Sequence, residues 1–221
     1  MKVAVFFGGT IRTYKANYES FSNTFLTTPG VDVDVFASIN KVNSADLLGF
    51  TRLYRPTKTR ISHYENSNIS CKYDFIDRNV RWNNYNTLSM YYHNQDAMKL
   101  IDETGGGNAY DLVVKYRADC IGQEKFPYEF MTRGENMVYI PHGNDYGGYN
   151  DQVAAGNTNA MRVYCSLFDK LVNYVKDEGC RFHPETLLRH HLDKHKDHVH
   201  VMRFDFGYHL DCQRNSDAVC S

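Results

Sequence analysis

The sequence predicts an open α/β sheet flanked by helices, and three observations near its start carry that expectation. Lys2 to Phe7 (KVAVFF) is a β-branched and aromatic run that breaks at Gly8-Gly9-Thr10, as a buried parallel strand does where it enters a loop. Tyr14, Tyr18, Phe21 and Phe25 follow at spacings of four, three and four, which marks one face of a helix. Pro29-Gly30 then closes that helix, and Val31 to Ala37 (VDVDVFA) alternates as a second strand. A β-α-β opening is the sign of an α/β sheet.

The later elements extend the pattern. Gly49 to Arg78 is polar and aromatic without a clear period and predicts loops and short pieces. Asn83 to Ile101 predicts a helix, with Leu88, Tyr91, Tyr92, Gln95, Met98 and Ile101 near one stripe and Gly105-Gly106-Gly107 after its end. Asp111 to Tyr116 and Met137 to Ile140 predict short strands, the second closed by Pro141. The loop HGNDYGGYND leads to a helix expected around Asn159 to Lys176. His183-Pro184-Glu185 starts another helix, because proline suits the first turn and an acid there complements the dipole. His198 to Phe206 alternates as a last strand, and QRNSDAVCS reads as a tail.

The chain has 221 residues, of which 42% are hydrophobic, enough for one sizeable core. With 25 basic and 26 acidic residues the formal net charge is -1, so there is no global electrostatic footprint for nucleic acid or an anionic membrane. Val3 to Phe7 is too short for a membrane span or a signal-peptide core, so a soluble, unprocessed chain is expected. The six cysteines, at 71, 120, 165, 180, 212 and 220, contain no CxxC pair and are expected as reduced thiols in a cytosolic compartment. A disulfide between two of the later ones stays open at this level.

In an open α/β sheet ligands bind beyond the carboxyl ends of the strands, so the residues just after each strand are the candidates. After the first strand, Gly8, Gly9 and Thr10 let a ligand approach the backbone, and Arg12 suits bidentate bonds to phosphate oxygens. The pattern is neither GxGxxG nor GxxxxGK[ST], and a tight turn with a surface arginine would read the same way. Ser38 and Asn40 follow the second strand. After DLVVKY come Arg117 and Asp119, and a carboxylate there is costly to bury unless it meets a cation. That cation is either a divalent ion shared with a nucleotide diphosphate or Arg117 itself, and an Asp119 that caps a turn would read the same way.

Beyond MVYI stand His142 and the loop from Asn144 to Asp151, where Asp145 or Asp151 would serve as a general base or, equally, Asp151 as a helix N-cap. The run RHHLDKHKDHVHV puts His191 and His195 at i, i+4, but it has no HExxH glutamate and no nearby cysteine pair. It is expected as a solvated helix end and a strand edge. His209, in FGYHLD, follows the last strand.

Taken in order, FFGGTIRTY, DLVVKYRADC, YNDQVAAGNTNAM and FHPETLLRHHL resemble a small GT-A-type glycosyltransferase. They resemble in particular the N-terminal glycosyltransferase domain of a multidomain chlorella-virus (chlorovirus) enzyme. The resemblance implies a GT-A-like, mixed but mainly parallel central sheet flanked by helices. It implies one catalytic domain over residues 1–212, with 213–221 a tail or the start of a linker to further domains. It also implies a UDP-sugar donor, a glycan acceptor, Mn²⁺ or Mg²⁺, and a location in the cytoplasm, the host's if the chain is viral.

Carried across residue by residue, Gly8, Gly9, Thr10, Arg12, Ser38, Arg117 and Asp119 would bind the nucleotide sugar, and Asp119 and His209 the metal. Arg117 occupies the place of the first acid of a DxD motif, which is a departure from the family pattern. Asp151 in YNDQ would be the catalytic carboxylate, with Glu185 the second choice. The implied function is transfer of a hexose or deoxyhexose, glucose or rhamnose, in viral glycan synthesis. Two other classes remain at this level: a carbohydrate-binding module using the 17 tyrosines and 13 phenylalanines, or a metal-dependent phosphohydrolase or nucleotidyltransferase.

Overall fold

The computed structural model describes residues 1–62, 84–105, 109–131 and 136–211. The chain opens with β1 (Lys2–Gly9), α1 (Tyr14–Phe21) widening into one π-helical turn (Ser22–Leu26), and β2 (Asp32–Asn40). Then come α2 (Ser44–Tyr54), β3 (Lys58–Ser62), α3 (Asn84–Gly105), β4 (Leu112–Tyr116), β5 (Cys120–Gly122) and α4 (Tyr128–Met131). The second half holds β6 (Met137–Pro141), β7 (Val153–Gly156), α5 (Thr158–Cys165), α6 (Leu167–Lys176), α7 (Pro184–Lys194), β8 (His200–Phe204) and β9 (Tyr208–Leu210).

Seven strands form one sheet in the order β3-β2-β1-β4-β7-β6-β8, and β5 and β9 form a two-stranded ribbon. β7 is antiparallel to both its neighbours, and the remaining pairs in the large sheet are parallel. This is the mixed, mainly parallel α/β sheet that the sequence predicts.

Strand alternation divides the core into two layers. Val3, Val5 and Phe7 of β1 pack with Phe21, Phe25, Phe50 and Tyr54 on one face of the sheet. Ala4 and Phe6 pack with Leu88, Tyr91, Met161, Leu171 and Leu188 on the other. Phe6, Phe25, Phe36 and Phe50 have no exposed surface, and each such burial contributes about 1.5–3 kcal/mol.

Several expectations are corrected. Gly49 to Tyr54 belongs to α2, which Asn43 caps by accepting the Asp46 N–H at 2.8 Å, and β3 follows as an edge strand. The expected helix over 159–176 is two helices, because the chain turns at Ser166, which ends α5 and begins α6. Val153 to Gly156, expected as loop, is the fully buried strand β7. His191, expected in solvent, is wholly buried, since it lies on the packed face of α7 with Leu187, Leu188 and Leu192. Its ring nitrogens bond the Tyr174 hydroxyl at 2.9 Å and the Val163 carbonyl at 2.7 Å.

Cys120, Cys165 and Cys180 are free thiols, whereas Cys71, Cys212, Cys220 and the tail 213–221 lie outside the described residues. Among the described residues no helix is long and apolar enough to cross a membrane.

Candidate functional site

β1, β2 and β4 run parallel and so finish at one edge of the sheet. β7 runs the other way beside β4, with Val153 opposite Tyr116, so the chain leading into β7 lies at that same edge. A cavity of about 280 Å³ opens there. Gly8, Gly9, Thr10 and Arg12 line it from β1, Arg117 and Asp119 from the end of β4, and Asp151 from the approach to β7. Three separated segments thus bring seven of the sequence-predicted residues together.

Gly9 has φ +101°, a left-handed conformation that favours glycine, and it turns the chain out of β1 across the cavity. Arg12 is exposed beyond it and makes no ion pair with a carboxylate among the described residues. Arg117 donates from Nε and Nη2 to the two oxygens of Asp119, at 2.8 and 2.6 Å, a bidentate pair about one-third exposed. Burial alone would lower the Arg117 pKa, but the paired carboxylate outweighs it and holds the guanidinium charged.

Beneath the cavity, Lys115 is buried in β4 and donates to the backbone carbonyl of Asp151. Burial lowers the Lys115 pKa, and the nearby Asp151 carboxylate opposes that shift. Asp151 is 4% exposed and does not cap a helix: β7 intervenes, and Asn157 caps α5. Asp145 is removed from the chemistry, because its carboxylate pairs with Arg203 at 2.8 Å and accepts the Asn150 N–H.

Glu185 stands in the first turn of α7, beside Pro184 of the cavity wall. Gly148 packs so close to this turn that a Cβ would meet the Glu185 carbonyl oxygen at 1.8 Å, which only glycine permits. Glu185 Oε2 is buried without a hydrogen-bond donor. His183 Nδ1 is 3.3 Å away, but it lies 3.2 Å from the Thr186 hydroxyl and makes no hydrogen bond to Oε2. Burial first and the charge on Asp151 second push the Glu185 pKa up to about 7.

Two predicted residues are not brought to the cavity. Ser38 has no exposed surface, and its hydroxyl is engaged by His93 and Asp96. His209 is exposed on β9 opposite Ile121 and is absent from the cavity wall. Among the described residues no group of three or more His, Cys, Asp or Glu side chains stands ready to hold a metal. Asp119 still fits an ion shared with a diphosphate: each oxygen accepts one bond from Arg117 and keeps a lone pair, and such an ion needs only one or two protein carboxylates.

The opposite wall begins with Asn40 at the end of β2, one of the strand-end candidates. Asn86, Thr87, Ser89 and Met90 in the opening turns of α3, which sequence patterns passed over, complete it. The available signal was the polar NTLS just ahead of the apolar stripe of α3. Lys115 had a signal too, a lone cation inside the apolar VVKY.

No family model and no curated protein matches the chain. Among solved structures it is similar to a candidate nucleotide-diphospho-sugar transferase from Desulfovibrio desulfuricans G20, with a TM-score of 0.50, 11% identity, and coverage of 92% of this chain and 79% of that one. At that identity the likeness is one of fold: a mixed α/β sheet of the nucleotide-diphospho-sugar transferase type.

Proposed function

We propose that this chain is a glycosyltransferase that moves a hexose or deoxyhexose from a UDP-sugar to a hydroxyl of a glycan acceptor. One observation carries this reading: Gly8-Gly9-Thr10, Arg12, the Arg117–Asp119 pair and Asp151 line a single cavity at the strand-end edge, combining a phosphate cradle with a buried carboxylate. The sheet's likeness to a sugar-nucleotide transferase fold supports it.

In this reading Arg12 and Arg117 face the diphosphate and stabilise the charge that grows on it, an effect of about 3–4 kcal/mol per well-placed donor. A divalent ion, Mn²⁺ or Mg²⁺, would be held by Asp119 and would supply further charge neutralisation on the same oxygens. Asp151 takes the proton of the acceptor hydroxyl. The acceptor oxygen forms its bond to the anomeric carbon as the bond from that carbon to the diphosphate breaks, and the electron pair leaves with UDP. Lys115 keeps Asp151 in place through the peptide carbonyl.

A carbohydrate-binding module would need aromatic faces in solvent. Among the described residues Tyr146, 66% exposed, is the large aromatic side chain that offers one, and the other exposed large apolar residues are Leu26, Leu48 and Ile61. Titration calorimetry with UDP, with and without Mn²⁺, tests the proposal. Binding that strengthens with the ion and is lost in Asp119→Ala is the expected result; absent binding, or binding indifferent to both changes, overturns it.

A further inference from the structure

Behind the neutral wall of the cavity runs a closed chain of hydrogen bonds. Asp96 of α3 is ion-paired with Arg60 of β3 at 2.7 Å, and its other oxygen faces the Ser38 hydroxyl at 2.7 Å and the Ser62 hydroxyl at 3.2 Å. Ser38 Oγ lies 2.8 Å from His93 Nδ1, and His93 Nε2 lies 2.7 Å from the Asn40 side-chain amide. The other end of that amide lies 2.7 Å from the Ser89 hydroxyl. Ser38, His93 and Asp96 are buried, while Asn40 and Ser89 border the cavity.

Each hydroxyl has one proton, so the chain runs in one direction. A carboxylate paired with arginine only accepts, so Ser38 donates to Asp96. Ser38 Oγ is then the acceptor for His93, and the ring proton sits on Nδ1. Burial keeps the imidazole neutral, with its pKa held down to about 4, so Nε2 is a bare acceptor. With Asn40 Oδ1 against Nε2, two acceptors would meet. A half-turn of the amide interchanges its near-identical ends and resolves the conflict. Asn40 therefore gives its NH₂ to His93 and its carbonyl to the Ser89 hydroxyl.

From this geometry we infer that His93 and Ser38 are positioning residues: they lock the Asn40 amide in one orientation, so that it discriminates between ligand rings by the order of their donors and acceptors. The inference rests on the nucleotide-sugar reading of the cavity and deepens it. The neutral wall of Asn40 and Ser89 stands apart from the charged wall of Arg117 and Asp119, so the diphosphate and the base have different sides available. Uracil and cytosine differ on one edge, where a ring N–H beside a carbonyl becomes a bare nitrogen beside an amine. A freely turning asparagine pairs with either edge, and a locked one with only one of them.

Calorimetry with UDP and CDP on the wild type, Ser38→Ala and His93→Phe tests this. The wild type is expected to hold UDP about 10-fold or more tighter than CDP, since the wrong edge leaves buried polar groups unpaired. In both variants the ratio is expected to fall to within about 3-fold, chiefly through a gain in CDP affinity. Ser38→Ala removes one oxygen from the core and carries the test if His93→Phe does not fold. A ratio unchanged in Ser38→Ala, or a variant that folds yet binds neither nucleotide, overturns the inference. Equal binding of UDP and CDP by the wild type overturns it while leaving the nucleotide site intact, and failure of both to bind overturns the site itself.

Discussion

The two walls of the cavity handle polarity in opposite ways. On the β2–α3 side, Asn40, His93, Ser38, Asp96 and Arg60 satisfy one another in an unbroken chain. Across the cavity, Lys115, Arg117, Asp119, Asp151 and Glu185 crowd five ionisable groups together, with one carboxylate oxygen left unbonded and one pKa driven far from its ordinary value. A satisfied network holds a shape and an unsatisfied one stores reactivity. On the proposed reading, recognition falls to the first wall and chemistry to the second.

If that division is right, the largest loss follows a change in the charged wall. Asp151→Asn should lower the turnover of UDP-sugar about 1000-fold while UDP affinity stays within a few-fold, as measured by steady-state kinetics beside calorimetry. Comparable turnover in the variant would move the chemistry away from this wall. Asp119→Ala comes next, with about a 100-fold loss of ion-dependent UDP binding.

Glu185 sharpens the comparison through stability. Its folded pKa of about 7 lies above the ordinary 4.5, so between those values the folded state holds a proton that the unfolded state has lost. Stability should therefore fall as pH rises through that window, by about 3 kcal/mol at most. Urea unfolding at pH 5 and pH 8 reads this out, and Glu185→Gln should flatten the difference. A slope that survives the substitution would assign it to another group. The smallest effect belongs to His209→Ala, expected to leave Mn²⁺-dependent binding within about twofold; a loss matching that of Asp119→Ala would make His209 a ligand despite its absence from the cavity wall.

The charged wall was more legible in the sequence than the neutral one. Arg117, Asp119 and Asp151 follow or precede short apolar runs, so strand-end logic finds them without tertiary information. β7 escaped because Ala-Ala-Gly carries little strand preference; it is a strand because β4 and β6 supply its partners on both sides. The relay escaped for a related reason. His93, Asn94 and Asp96 look like the solvent face of α3, yet that helix is packed between β1 and β2 of the sheet and the helices α5 and α6, and all three residues are buried. The start of α2 went unread: Asn43 is a residue type that caps helices, but the aromatic residues beyond it obscure the helical period.

The reversed direction of β7 has a consequence for how such a protein diversifies. Asp151 is tied on one side to Lys115 and on the other to the β4–β7 register, so its position does not depend on the length of the segment before it. Residues 142–148 leave the sheet at β6, are held by the Asp145–Arg203 pair and by Gly148 against Glu185, and are closed by the Asn150 side chain on the Gly143 carbonyl. Insertions there would reshape what approaches the carboxylate without moving it. On the proposed reading, one arrangement of charged groups would then serve a succession of acceptors, with change confined to the exposed tip of the loop at residues 146–147, between the anchors at Asp145 and Gly148.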